Sequence, residues 1–159
     1  MKIVTCGLRP AVVLSICLVF LVACNTTTSR NFEARGAPAS QAEIVQHFSG
    51  KFVKTGEGGT YLGIDGSLKG IDPAGGSPIS IGSWSAGNAL CFTLVYYGKQ
   101  NGQTASSGEE ETCYLIWINP DGTSIADPVG SGANLDIAKP VPGFPIENRF
   151  NALRAELGV

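Results

Sequence analysis

From Gly50 onward, tight-turn signals recur at intervals too short for helices and well matched to strands. Asp65-Gly66 is flanked by Tyr61-Leu62-Gly63-Ile64 and Ser67-Leu68-Lys69-Gly70, an arrangement that favours a hairpin because both turn residues reach positive φ easily. Ile79 to Trp84 alternates in polarity and meets Gly87-Asn88. Ala89 to Tyr97 then runs almost wholly apolar and reads as a strand buried on both faces. Glu111 to Ile118 is a further strand, closing on Asn119-Pro120-Asp121-Gly122, where Pro presets φ and Gly takes the left-handed position. The chain has 21 Gly and 9 Pro in 159 residues, scattered between apolar runs, which favours a turn-rich β protein over a helical bundle. The expected fold is mainly β: a small, lipocalin-like antiparallel meander barrel.

Charge and residue inventory exclude several function classes. Eleven basic residues against 13 acidic ones leave no basic stripe that could release counterions from nucleic acid. With one His and one Met, most transition-metal and haem sites are out of reach, and no metal or cofactor is expected.

The N-terminus carries an address. Lys2 and Arg9 precede Ala11 to Ala23, 13 residues interrupted only by Ser15. At 1.5 Å per residue a helix of that length covers about 20 Å, short of a hydrocarbon core of roughly 30 Å, so residues 1–23 read as a signal peptide rather than a span. The segment ends in Leu21-Val22-Ala23-Cys24, which resembles the lipobox of bacterial lipoproteins. The resemblance implies cleavage before Cys24, a diacylglycerol on its sulfur and a third acyl chain on the new terminus. Each buried methylene contributes roughly 0.8 kcal/mol, so several chains hold a protein on a membrane where one does not. Asn25 follows, not the Asp of inner-membrane retention in such lipoproteins, which implies the outer membrane of the cell envelope, facing the periplasm or the surface.

Cysteine arithmetic follows from that reading. Cys6 and Cys17 leave with the signal and Cys24 takes lipid, so Cys91 and Cys113 remain in an oxidising compartment, where they are expected to pair. Loss of Lys2 and Arg9 leaves nine basic against 13 acidic residues, a mature charge of −4. If the two cysteines oppose each other on neighbouring strands, paired residue numbers add to 204 and the connection centres on Gly102. The second strand then starts nearer Ser107 than Glu111. Phe92, Leu94 and Tyr96 share one face with Tyr114, Ile116 and Ile118, the expected interior. Thr93, Val95, Tyr97, Leu115 and Trp117 lie on the other face with the bridge.

Two helices frame the strands. Residues 24–39 show almost no apolar periodicity and are expected to be a tether, spanning roughly 20 Å as a coil. The folded domain is expected over 40–159. Ser40-Gln41-Ala42-Glu43 fits a capping box, with Ile44, Val45 and Phe48 as the apolar stripe and His47 outside it. Ile146, Phe150, Leu153 and Leu157 recur at helical spacing and predict a C-terminal helix covering the outer face, reached through a stiff linker from Lys139 to Pro145.

Catalytic templates fail. Ser85 lacks the Gly two residues earlier that a nucleophile elbow needs, and Gly56-Glu57-Gly58-Gly59 lacks the spacing of a phosphate loop. Nothing aims His47 at a serine. Asp65 with Asp72, and Asp121 with Asp127, sit in turns, and Glu109-Glu110-Glu111 reads as a solvated edge. No catalytic residue is assigned and the chain is not expected to be an enzyme. The aromatics Trp84, Tyr97 and Trp117 form the candidate binding surface if they are exposed together; covered by the C-terminal helix, Tyr97 and Trp117 would instead be core.

Ser40-x-x-Glu43-Ile44, Phe48-Ser49-Gly50-Lys51, Gly59-Thr60-Tyr61, Asp65-Gly66, Gly70, Gly82-x-Trp84, Leu90-Cys91 and Cys113 together resemble a family of small secreted or lipidated proteobacterial proteins of unknown function. The resemblance spans residues 40 to about 122 and implies a compact β domain without a known activity. Gly82-Ser83-Trp84 with Cys91 and Cys113 is also similar to the small periplasmic barrels that inhibit secreted metalloproteases through an N-terminal arm. Those carry the tryptophan and disulfide nearer the start of the domain. The expected function is a non-enzymatic, lipid-anchored envelope protein binding an envelope partner or a small apolar ligand, with protease inhibition as the alternative.

Overall fold

The computed structural model describes residues 36–72, 78–129, 131–132 and 134–159. The expected signal peptide, the lipid attachment at Cys24 and most of the tether lie outside them. Helix α1 (Gln41–Phe48) begins with the expected capping box: Ser40 Oγ accepts from the Glu43 amide, and the Glu43 carboxylate accepts from the Ser40 amide at 2.8 Å. Ile44 and Phe48 are fully buried. Val45, expected in the same stripe, is 40% exposed, because successive helical residues are turned 100° apart and Ile44 has taken the inward direction.

Nine strands follow: β1 (Lys51–Thr55), β2 (Gly58–Leu62), β3 (Ser67–Ile71), β4 (Ile79–Ala86), β5 (Leu90–Gln100), β6 (Gln103–Ile118), β7 (Ser124–Pro128), β8 (Leu135–Ile137) and β9 (Val141–Pro142). Helix α2 (Glu147–Leu157) ends the chain, closed by Gly158 in the left-handed conformation. The fold class is the expected one. The strands form one antiparallel sheet in the order β8-β7-β6-β5-β4-β3-β2-β1-β9, curled into a half-barrel. Residues expected to be linker contain β9, which pairs with Lys51 and Phe52 of β1. Pro142 is tolerated there because an edge strand can spare one amide.

The disulfide register is the expected one near the bridge. Cys91 opposes Cys113, the sulfurs are bonded, and the Cα atoms are 4.0 Å apart. Farther along, Tyr97 opposes Ser106, one residue out of step, because Ser107 and Gly108 together face the single residue Tyr96. Gly108 adopts φ 83° in this bulge and the Tyr96 amide donates to Ser107 Oγ at 3.2 Å. The shift moves the turn to Asn101-Gly102, with φ 53° and 79°. Strand β5 is half-buried along most of its length, not buried on both faces, because neither side of the curled sheet is fully covered there.

Paired residues share a face, so the sheet has two distinct surfaces. The concave face carries Val53, Leu62, Leu90, Ile116 and Ala126, and α1 packs Ile44 and Phe48 into it. Beyond Tyr114, β5 has ended, and the freed edge of β6 is taken by the Ala39 amide, which donates to the Ile116 carbonyl at 2.7 Å. The convex face carries Ile71, Ile79, Ile81 and Tyr97, covered by Phe150, Leu153 and Leu157 of α2 as the helical spacing predicted. Phe144 stacks on Tyr61 at 5.1 Å and tilts against Phe52 and Phe150, fixing the approach to that helix.

Candidate functional site

The curl leaves a space on its concave side. It is a cavity of about 300 Å³, open on one side and lined almost entirely by carbon. Phe48 closes it from α1, and Val53, Leu62, Leu90 and Ile116 form its floor; all five are buried. Phe92 and Tyr114 make an aromatic wall, their rings 5.7 Å apart and inclined at 50°. Thr55, Thr60, Leu135 and Asp136 also line it, and among them Thr55, Leu135 and Asp136 are exposed.

Sheet geometry explains the opening. The ladder ends at β8 on one side, while β9 covers β1 only at Lys51 and Phe52. Strands β1 and β8 approach within 8 Å, Cα to Cα, without pairing, so the half-barrel has a seam beside Thr55 and Leu135. Closure would need the 4.7–4.9 Å spacing of paired strands. The curl itself needs close approach at Gly82, where a Cβ would run into the Thr93 carbonyl.

The aromatics singled out from the sequence do not meet on one surface. Trp84 belongs to the concave side, packs against the core there, and donates its indole N–H to the Gly63 carbonyl at 2.8 Å. Its amide donates to the Gly66 carbonyl at 2.8 Å, so Trp84 fastens the Asp65-Gly66 loop to β4. Tyr97 lies on the convex face in the cluster under α2. Trp117 is also on the convex side, on β6 opposite Ile125, and only 7% exposed. Cys91 and Cys113 join β5 to β6 on that same face.

His47 sits at the edge of a second, more open cavity of about 360 Å³ with Glu43, Gln46, Lys51 and Ile118. Its ring meets Phe48 edge-on at 4.6 Å, and Nε2 is buried without a hydrogen-bond partner. Burial, and secondly the Lys51 ammonium, hold its pKa below the usual histidine value. Lys51 itself donates to the Gln46 carbonyl at 2.8 Å, capping the end of α1. Among the described residues, no group of three or more His, Cys, Asp or Glu side chains is placed to hold a metal ion.

The chain matches no family model, no curated protein and no solved structure.

Much of the cavity wall was readable from the register. Phe92, Tyr114 and Ile116 fall on the face expected to be interior. Val53 and Ala126 do not stand out in the sequence, since β1 and β7 are short and flanked by turn-forming residues. Their parity relative to Leu62 and Ile116 is the signal that could have found them, once strand order is known.

Proposed function

We propose that this chain is a non-enzymatic binding protein, anchored by lipid at Cys24 to the outer membrane of a bacterial envelope, that takes a small apolar ligand into the concave cavity. One observation carries the reading: a carbon-lined space of about 300 Å³ inside a curled sheet, entered through an unpaired seam. That size lies at the lower end of small-molecule sites, which are typically concave, largely apolar and preformed. A ligand that binds only the folded chain adds to its stability in proportion to occupancy.

The lipobox-like Leu21-Val22-Ala23-Cys24 supports the anchoring half of the reading, and the paired Cys91 and Cys113 suit an oxidising compartment. Intact-mass analysis of the full chain extracted from membranes tests both halves together. The expected result is a mature terminus at Cys24 bearing three acyl chains, and an additional non-covalent adduct of lipid size that is released on unfolding. Trp in place of Ala126 fills the cavity, and Trp in place of Leu135 blocks its mouth; each should remove the adduct while Cys24 stays acylated. A chain starting elsewhere would overturn the anchor, and an adduct retained in both variants would overturn the site.

A further inference from the structure

The cavity also carries information on what kind of ligand head its mouth accepts, an inference that rests on the binding role proposed above. At the roughly 30 Å³ that a small liquid-like group such as a water molecule or methylene occupies, about 300 Å³ holds about ten such groups. That is the size of one medium-length hydrocarbon chain. The polar groups at the entrance are few and specific. They are the hydroxyls of Thr55 and Thr60, which donate and accept, and the outer backbone edge of β8.

Among the described residues that line the cavity there is no Lys, Arg or His. The one carboxylate-bearing residue there, Asp136, pairs with Ile125 of the convex face, so β8 presents Leu135 and Ile137 to the cavity. Lys51, which shares the concave side with Leu62, is turned to the Gln46 carbonyl and lines the second cavity with His47. Outside the cavity lining, the concave face carries a negative charge at Glu110, opposite Leu94. Tyr96, beside it, has its phenol pushed above the usual tyrosine value by burial, then by Glu110, by Tyr114 of the cavity wall and by Asp72. A carboxylate entering here would meet hydroxyls and carbon, with no cation among the described lining residues to offset its desolvation.

We propose that the cavity accepts a single-chain amphiphile of about ten carbons with an uncharged, hydroxyl-bearing head, tail inward, and discriminates against the same chain carrying a carboxylate. Thr55 and Thr60 hold the head at the seam, and Phe48 sets the depth the tail reaches.

Photo-crosslinking on the full, membrane-anchored chain tests this, with two probes that share a diazirine-bearing decanoyl tail: a monoacylglycerol and the free fatty acid at pH 8. Labelling is read residue by residue and normalised to labelling of the bilayer. The monoacylglycerol is expected to label Phe48, Phe92 or Tyr114 at least tenfold more than the fatty acid does, and Leu135→Trp should abolish it. Thr55→Lys places a cation at the exposed mouth in place of a head-group hydroxyl and should raise fatty-acid labelling several-fold, reversing the preference between the two probes. Equal labelling by the two probes, or no response to Thr55→Lys, overturns the head-group preference while leaving the cavity as a ligand site. Absence of labelling at every lining residue by both probes removes the binding reading itself.

Discussion

Replacing Cys91 and Cys113 together by alanine removes a cross-link that closes a loop of sequence separation 22 on two strands of the sheet. The loop-closure entropy restored to the unfolded chain corresponds to about 3 kcal/mol at 25 °C. That is a large share of the 5–15 kcal/mol typical of a domain. The folded state should change little, because β5 and β6 stay paired from Leu90 to Gln100 through backbone bonds on either side of the bridge. Urea unfolding of the double variant should therefore show a lower midpoint, a stability loss of about 3 kcal/mol and a somewhat larger slope, since the uncrosslinked unfolded chain exposes more surface. The thermal midpoint should fall by about 10 °C. Unchanged far-ultraviolet circular dichroism before the transition would establish that the same fold is being compared, and the parent protein reduced with dithiothreitol should coincide with the variant. A loss under about 1 kcal/mol with the slope unchanged would refute the idea that the bridge acts by restricting the unfolded chain.

Phe48→Ala should cost about 3–5 kcal/mol in the same unfolding assay, as it empties a fully buried position shared by the helix and the concave core; a loss under 1 kcal/mol would mean that α1 does not anchor there. His47 supplies a pH dependence. Its folded pKa is lowered, so the unfolded chain binds the extra proton first, and stability present above the unfolded value near 6.5 should fall as pH drops through it toward the folded value. His47→Gln should flatten the stability profile between pH 7 and 5. The carboxylates of Glu43, Asp65 and Asp121, held below their usual values by hydrogen bonds from Ser40, Ser67 and Thr123, lose their contribution at lower pH and leave that window clear. A slope unaffected by His47→Gln would show that another group titrates there.

Local chemistry made much of the fold legible. The Ser40 to Glu43 box starts α1 where it should, Asp65-Gly66 turns β2 into β3, and Asn119 to Gly122 turns β6 into β7, with Gly122 at φ 85°. The spacing of Phe150, Leu153 and Leu157 placed the last helix and the face it covers. Each of these signals works within a few residues. The bulge at Tyr96 did not show, since a Gly at position 108 in a polar run fits a loop as well as an extra strand residue. Strand β9 was hidden by its proline, and β8 by its length of three residues.

Composition and pattern thus determined the two helices, strands β2 to β6, the sidedness of the central hairpin, and the pairing of two cysteines. Tertiary structure alone decided that the curl stops short of closure and that α1 plugs it, leaving a carbon-lined space bounded by residues as far apart in sequence as Phe48 and Ile137. It also decided that Trp84 faces one side of the sheet while Tyr97 and Trp117 face the other. The reason is physical. Periodicity reports which side chains share a strand face, whereas the size and opening of a cavity depend on how distant strands curve toward each other, and no local spacing encodes that curvature.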